Sequence, residues 1–243
     1  MKKTIAYAVA AALGVTAFSA TSMAATIVID DFDTGSQAVT IPDGAAGPAS
    51  GGVLCAGCVG GARYVYVERT NASDDAIAIE VHPASSAAGW FIYSNETGVD
   101  SQALVRWDGD TNGTQDNGLT GVNFVQTGGL AVELESDVNV AYTFTLYNGD
   151  GKEVSGTLTL SEAVGDGDLL NGGQLRSIPL AGFVGDAGFD FTNITAIEML
   201  INGNASFDTA IRFLEYRVPE PASLALLGLG LLGVGAARRR KVA

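Results

Sequence analysis

The sequence predicts an all-β protein built as an antiparallel two-sheet β-sandwich. Apolar and polar residues alternate in short runs of five to nine residues, which is typical of strands with one buried face. Glycine, asparagine and aspartate separate these runs, and helical periodicity is hard to find between them. Parallel strands need crossover connections of about a dozen residues or more, which these separators do not provide. The strands are therefore expected to be antiparallel.

Eleven strands are predicted. They cover residues 26–32, 63–69, 76–82, 89–94, 102–107, 129–135, 139–147, 153–160, 174–180, 194–201 and 209–216. A long loop is expected at 33–52 and a single helical turn at 179–183. The clearest hairpin joins 139–147 to 153–160, because the intervening Asn-Gly and Asp-Gly pairs readily take the positive φ of tight turns.

The C-terminal stretch has three parts in fixed order. They are the motif Pro219, Glu220 and Pro221, an apolar run at 222–237 and a basic cluster at 238–241. The apolar run is a little shorter than the ~20 residues that span a bilayer comfortably, so a tilted transmembrane helix is expected there. Because Lys and Arg stay on the cytoplasmic side, everything before Val218 is expected outside the cytoplasm.

This tail, 218–243, resembles the PEP-CTERM sorting signal of exported Gram-negative bacterial proteins. The resemblance implies that an exosortase, a membrane protease-transpeptidase, recognises Pro219, Glu220 and Pro221 and processes the chain near them. The two prolines remove backbone donors and favour an extended backbone, which a protease cleft can bind. The resemblance further implies a transient anchor in the inner membrane, followed by a place at the outer surface or outside the cell.

The N-terminus predicts a secretory signal peptide at 1–24. A positively charged start precedes an apolar run, and small residues before Ala25 favour cleavage there. The remaining body, 25–217, is long enough for one domain with a full core. It holds 26 acidic and seven basic residues, a net charge of −19. Such a charge excludes nucleic acid as a partner and disfavours anionic polymers.

Residues 108–116 are the stretch most typical of a metal site. Oxygen-bearing side chains at alternate positions, with glycine at the sixth, are the pattern of an EF-hand-type calcium loop. The predicted Ca²⁺ ligands are Asp108, Asp110, Asn112, the backbone carbonyl of Thr114, and Asp116. The twelfth position is Leu119, so the bidentate glutamate is missing. The alternative is an ordinary loop in which these residues serve turn geometry.

Two cysteines, Cys55 and Cys58, lie in a glycine-rich turn before a predicted strand. In an oxidising compartment, a local disulfide between them is expected. A redox-active pair would need a helix N-terminus to stabilise the thiolate, and no helix is predicted after Cys58.

Aromatic residues in the strands offer a surface on which sugars could stack. The candidates are Trp90, Tyr93 and Trp107, with Tyr64 and Tyr66, although aromatic strand residues more often lie in the core.

Catalysis finds little support in the sequence. The single histidine precedes a proline at a strand end, and there is no Gly-x-Ser-x-Gly elbow. Carboxylates are numerous, but no spacing singles out a glycosidase pair.

Five further segments of the body carry a second resemblance. They are IDDFD at 29–33, GGAR at 60–63, IPLAGF at 178–183, NITAIEMLINGN at 193–204 and IRFLEY at 211–216. Together they resemble a galactose-binding-like jelly roll, which implies that topology for the sandwich. Many exported modules of unrelated function share this fold. The expected function is a non-enzymatic structural or glycan-interacting role, with exopolysaccharide as the partner that the tail's family implies. The alternative is a glycosidase-like, carbohydrate-active enzyme that uses paired carboxylates.

Overall fold

The prediction of an all-β sandwich of two antiparallel sheets is confirmed. The computed structural model describes residues 23–82, 89–116, 118–120, 122–125, 127–160, 173–204 and 206–219. Thr26–Arg217 forms one compact unit, and Met1–Ala25 and Val218–Ala243 fall outside it. The predicted transmembrane helix and basic cluster lie outside the described residues, as does nearly all of the predicted signal peptide. Within the described ranges, no helix is long and apolar enough to cross a membrane.

Fourteen strands occur in the described part of the chain. In order they are β1 (Met23–Asp30), β2 (Gln37–Ile41), β3 (Ala49–Leu54), β4 (Ala62–Arg69), β5 (Ile77–His82), β6 (Trp90–Asn95), β7 (Ser101–Trp107), β8 (Gly129–Ser136), β9 (Val140–Asn148), β10 (Glu153–Leu160), β11 (Gln174–Pro179), β12 (Val184–Gly185), β13 (Ile194–Gly203) and β14 (Asp208–Pro219). Single 3₁₀ turns occur at Val59–Gly61 and Leu180–Gly182. The second of these confirms the helical turn predicted at 179–183.

The order of the strands within the sheets gives a jelly roll. The first sheet has the order β11-β8-β14-β6-β5-β2, with β1 also paired to β14, and the second has the order β12-β10-β9-β13-β7-β4-β3. From β6 to β9 the chain changes sheet at every connection. Four strands of the first sheet (β6-β14-β8-β11) therefore interleave in sequence with four of the second (β7-β13-β9-β10). This interleaving is the double Greek key of a jelly roll, which confirms the implied topology.

The prediction of a continuous loop at 33–52 is wrong, because β2 and most of β3 lie within it. Both strands are at sheet edges, where β2 pairs with β5 and β3 with β4. In β3, Gly51 and Gly52 leave no side chains whose alternation would reveal a strand. Gly52 also has a packing reason, since a Cβ there would collide with the backbone of Thr111.

Strand alternation places the core between the sheets. In β7 and β9 every second residue is buried, and the residues between them face outward. The largest fully buried side chains include Trp107, Tyr142 and Phe144 from the second sheet and Tyr93 and Phe91 from the first. The side chains between these buried positions face away from the core and are available for contact with a partner.

A buried ion pair joins β1 to the second sheet. Nη1 of Arg63 lies 2.7 Å from Oδ2 of Asp30, and both side chains are 0% exposed. Nε1 of Trp107 donates to the same carboxylate oxygen at 2.8 Å, and the backbone N–H of Phe32 donates to Oδ1 at 2.8 Å. Asp30 and Arg63 belong to the IDDFD and GGAR segments. These two charged side chains are therefore paired with each other in the interior of the fold.

Candidate functional site

The aromatic residues predicted to stack against sugars separate into two groups. Trp90, Tyr93 and Trp107 are 4%, 0% and 0% exposed, so the prediction is wrong for these three. They pack in the core because burial of large rings stabilises the sandwich more than exposure does. Tyr64 and Tyr66 occupy outward positions of β4 and are half-buried. These two remain available to a ligand.

Tyr64 and Tyr66 belong to a larger set of outward side chains on the second sheet, here called the tyrosine face. It comprises Tyr64, Tyr66 and Glu68 on β4, Gln102, Leu104 and Arg106 on β7, Glu198, Leu200 and Asn202 on β13, and Thr143, Thr145 and Tyr147 on β9. All are at least partly exposed. Four adjacent strands thus present one continuous surface.

One polar cluster on this face is built around Glu198. The hydroxyl of Tyr147 donates to its Oε2 at 2.9 Å, and Nε of Arg106 donates to its Oε1 at 2.5 Å. Nη1 of Arg106 also donates to the carbonyl of Gly113 at 2.7 Å. Burial, and then the negative charge of Glu198, raise the pKa of Tyr147. The hydroxyl therefore stays protonated at neutral pH and remains a hydrogen-bond donor.

A second polar cluster is built around Glu68. The hydroxyl of Tyr66 donates to its Oε2 at 2.5 Å, and the amide of Gln102 donates to its Oε1. The hydrogen bond to Glu68 raises the pKa of Tyr66 to about 12. Between the two clusters, Leu104 and Leu200 lie opposite each other on neighbouring strands. The tyrosine face therefore has an aliphatic centre with a fixed polar cluster on each side.

The predicted calcium loop, 108–116, borders the tyrosine face. Gly113 lies against the ring of Tyr64 so closely that a Cβ on this glycine would be 2.5 Å from Cζ of the ring. Its φ of +78° is also a conformation that favours glycine. Together with the hydrogen bond from Arg106, this contact fixes the loop beside one end of the face.

The predicted calcium ligands are hydrogen-bonded within their own loop. Asp108 is 1% exposed, and its carboxylate accepts the backbone N–H groups of Asp110 and Asp116, each at 3.1 Å. Burial raises the pKa of Asp108. The amide nitrogen of Asn112 donates to Asp110 at 3.0 Å and to Asp116 at 2.8 Å. The backbone N–H of Thr114 donates to Oδ1 of Asn112 at 2.7 Å.

Because the predicted ligands are hydrogen-bonded within the loop and do not converge on one point, the calcium site stays a prediction. Asp108, Asp110 and Asp116 do not bring three carboxylate oxygens within 4.8 Å of one another, although all three residues are described. Ca²⁺ takes six to eight oxygen ligands at about 2.3–2.6 Å. The side chains of the loop would have to regroup around the ion to supply them.

Cys55 and Cys58 are joined by a disulfide, with their Cα atoms 5.5 Å apart. The two sulfurs and a carboxylate oxygen of Asp30 lie within 4.8 Å of one another. Metals bind thiolates, and neither sulfur is a thiolate in the disulfide. The bridge closes the turn that leads into β4, the strand that carries Tyr64 and Tyr66.

An open cavity of about 600 Å³ lies at the start of β14. Its carboxylates come from Asp75, Glu96, Asp137 and Asp208. Oδ1 of Asp137 accepts the backbone N–H of Asp208 at 3.0 Å. Burial, and then the charge of Asp208, raise the pKa of Asp137. Several acids therefore meet in one cavity, which is where a paired-carboxylate mechanism would have to be sought.

Residues 217–241 match the PEP-CTERM protein-sorting motif, which confirms the resemblance of the tail. The motif implies an exported protein that is sorted at the membrane and processed by an exosortase. Of the motif residues Pro219, Glu220 and Pro221, Pro219 is the last residue of β14 and the other two lie outside the described part. No curated protein sequence matches the chain.

Several solved structures are similar to the chain. The family 11 carbohydrate-binding module of cellulosomal cellulase Lic26A-Cel5E of Clostridium thermocellum is 10% identical, with 82% of this chain and 96% of that chain covered and a TM-score of 0.42. The family 30 module of cellulosomal cellulase Cel9D-Cel44B of the same organism is 13% identical, with coverages of 76% and 99% and a TM-score of 0.40. An exo-β-agarase is 10% identical, with coverages of 64% and 23% and a TM-score of 0.39. The jelly-roll assignment rests on the order of the strands in the two sheets.

Sequence reasoning found Tyr64 and Tyr66 but missed Tyr147, Arg106 and Glu198. Part of the signal was present, because these three residues occupy the polar positions of alternating strands. Alternation shows which face of a strand a residue occupies, but it does not show which strands are neighbours in the sheet. The order of the strands alone brings β4, β7, β13 and β9 side by side.

Proposed function

We propose that this protein is non-enzymatic and binds a neutral extracellular polysaccharide on its tyrosine face after its tail has been sorted. The observation that carries the proposal is the pair of tyrosine hydroxyls, on Tyr66 and Tyr147, each held by a glutamate on the same outward face. Export and sorting of the chain favour a place at the outer surface or in the extracellular matrix, where exopolysaccharide is available.

The chemistry of the face suits a sugar polymer. Pyranose rings have apolar CH faces, which pack against tyrosine rings and leucine side chains. Their hydroxyl groups both donate and accept, and so they match the glutamates, Gln102 and Arg106 at the sides. Because Glu198 and Glu68 are already fixed by neighbouring side chains, little conformational freedom is lost on binding.

The charge of the body favours an uncharged ligand. A net charge of −19 on residues 25–217 repels polyanions such as uronic acid polymers. Arg106, the basic side chain of the face, is paired with Glu198 and does not offer a free positive charge. Neutral glycans carry no such electrostatic penalty.

The proposal is tested by the mobility of the exported protein in native gels that contain soluble polysaccharides. Neutral polysaccharides, such as a β-glucan, a galactan and a mannan, are compared with an acidic one such as alginate. We expect retardation by at least one neutral polymer, and Tyr66→Ala should weaken it about tenfold or more, as loss of an aromatic anchor does at other interfaces. Leu175→Ala, at an exposed position of the first sheet, is the matched control.

Two results would contradict the proposal. One is equal mobility of Tyr66→Ala and wild type in every gel that retards the protein. The other is hydrolysis of the same polymers, measured as the formation of new reducing ends, if this activity is lost in Asp137→Asn. The second result would support the glycosidase alternative and place it in the acid-lined cavity.

A further inference from the structure

We infer that the glycan lies across the strands of the tyrosine face, at right angles to them, with about one sugar ring over each strand. This inference rests on the proposed function and adds the direction, shape and length of the ligand. It comes from the register of the second sheet, which places the outward side chains of neighbouring strands opposite one another in rows.

The middle row is the least polar. Tyr66 lies opposite Leu104, Leu104 opposite Leu200, and Leu200 opposite Thr143. These four residues belong to four adjacent strands, β4, β7, β13 and β9. They form a continuous strip across the sheet, on which the CH faces of successive sugar rings can rest.

A polar row runs along each side of this strip. One row places Tyr64, Arg106, Glu198 and Thr145 opposite one another in turn, and Tyr147 reaches into it through its bond to Glu198. The other row consists of Glu68, Gln102 and Asn202. The hydroxyl groups at both edges of a sugar chain on the strip would therefore meet hydrogen-bonding partners.

The spacing of the strands matches a polymer of sugars. Neighbouring strands in a sheet lie about 4.8 Å apart, which is roughly the length of one pyranose ring with its linkage in an extended chain. A chain that crosses the sheet thus presents one ring to each residue of the middle row. A chain that ran along a strand would meet Tyr64, Tyr66 and Glu68 of β4 and would not reach Leu200.

These features define the ligand. It is a linear, uncharged and extended glycan, and about four of its units contact the face, over Tyr66, Leu104, Leu200 and Thr143. On the β4 side, Ser50 continues the row beyond Tyr66 as a small exposed residue. On the β9 side the row continues only through Thr157, which is exposed. Neither end offers a further ring or aliphatic side chain.

The test uses the neutral polysaccharide that retards the exported protein most, cut into oligosaccharides of two to eight units. Titration calorimetry should show affinity that rises with length up to about four units and then stays level. Leu200→Asp, two strands away from Tyr66, should weaken binding of the tetrasaccharide about tenfold or more. Leu175→Asp on the first sheet should leave it unchanged. Asn202→Ala, at an exposed position, provides a second variant in which folding is preserved, and it should weaken binding several-fold.

The outcomes separate this inference from the proposed function. If Tyr66→Ala weakens binding but Leu200→Asp and Asn202→Ala do not, the face binds glycan in another direction and the inference is wrong. Affinity that stops rising at two units, or continues to rise to eight, also overturns it. If Tyr66→Ala has no effect either, the proposed function itself fails.

Discussion

Replacement of Asp30 by asparagine should destabilise the protein strongly. The substitution keeps the size of the side chain but removes the charge that balances Arg63, and both residues are 0% exposed. The carboxylate accepts from Arg63, Trp107 and the backbone of Phe32. An asparagine has one oxygen, so its amide NH₂ must face at least one of these donors.

The size of the effect follows from the burial of the pair. Breaking a buried ion pair by removing one partner costs about 3–5 kcal/mol, because an uncompensated charge is left inside. A domain of this kind is stable by about 5–15 kcal/mol in total. Asp30→Asn should therefore lower the urea midpoint of the exported protein markedly, with unfolding followed by tryptophan fluorescence.

A surface pair provides the control. Arg212 and Glu133 form an ion pair at 3.3 Å whose side chains are 47% and 20% exposed. Glu133→Gln should cost no more than about 1 kcal/mol. The double variant Asp30→Asn with Arg63→Met should recover part of the loss, since no charge is then buried alone. Equal midpoints for Asp30→Asn and Glu133→Gln would show that the buried pair does not stabilise the fold as argued.

Three further predictions concern the tail, the calcium loop and the acid-lined cavity. Replacing Pro219, Glu220 and Pro221 by alanine should leave export intact and trap an unprocessed, membrane-bound chain in cell fractionation; processing like that of wild type would refute this. Millimolar Ca²⁺ should raise the melting temperature of the exported protein more than equal Mg²⁺ does, because it binds the folded state preferentially. Asp110→Ala should abolish that shift and Asp43→Ala should keep it, whereas melting indifferent to calcium and chelator would make the loop an ordinary turn. Because the pKa of Asp137 is raised in the folded protein, its contribution to stability is full below its ordinary value of 3.8 and is lost as the pH rises through the raised value. The melting temperature of Asp137→Asn should therefore fall less steeply above pH 3.8 than that of Asp43→Asn. Equal slopes of melting temperature against pH in the two variants would contradict a raised pKa for Asp137.

Alternation of side chains explains most of the strands that the sequence predicts, although the five-residue β2, in which Val39 and Ile41 are buried, also alternates and was not predicted. β9 is an example of a predicted strand, because its buried residues Tyr142, Phe144 and Leu146 alternate with Thr143 and Thr145. β3 was missed because Gly51 and Gly52 carry no side chains to alternate. β12 has two residues and forms only as an edge of β10. Its existence depends on tertiary contacts, which leave no local pattern.

The types of residue in the candidate site could be predicted from the sequence, but which residues come together on the tyrosine face could not. Alternation places Tyr64 and Tyr66 outward as soon as Val65 and Val67 are assigned to the core. It also places Trp107 inward, because Trp107 directly follows the polar residue Arg106 in an alternating strand. The approach of Gly113 to Tyr64, and the bond between Tyr147 and Glu198, join segments far apart in the sequence. Such contacts follow from the order of strands in the sheet.

The position of β14 has a consequence for the timing of export. β14 lies in the middle of the first sheet, between β8 and β6, and it is the last strand of the body to be made. A chain that crosses a membrane from its N-terminus leaves this sheet without its central strand until 208–219 have emerged. Pairing across the whole length of the body is also slow, because distant segments must meet before the sheet closes. We therefore expect the body to stay unfolded until the sorting tail itself arrives, so that folding and sorting begin together at the membrane.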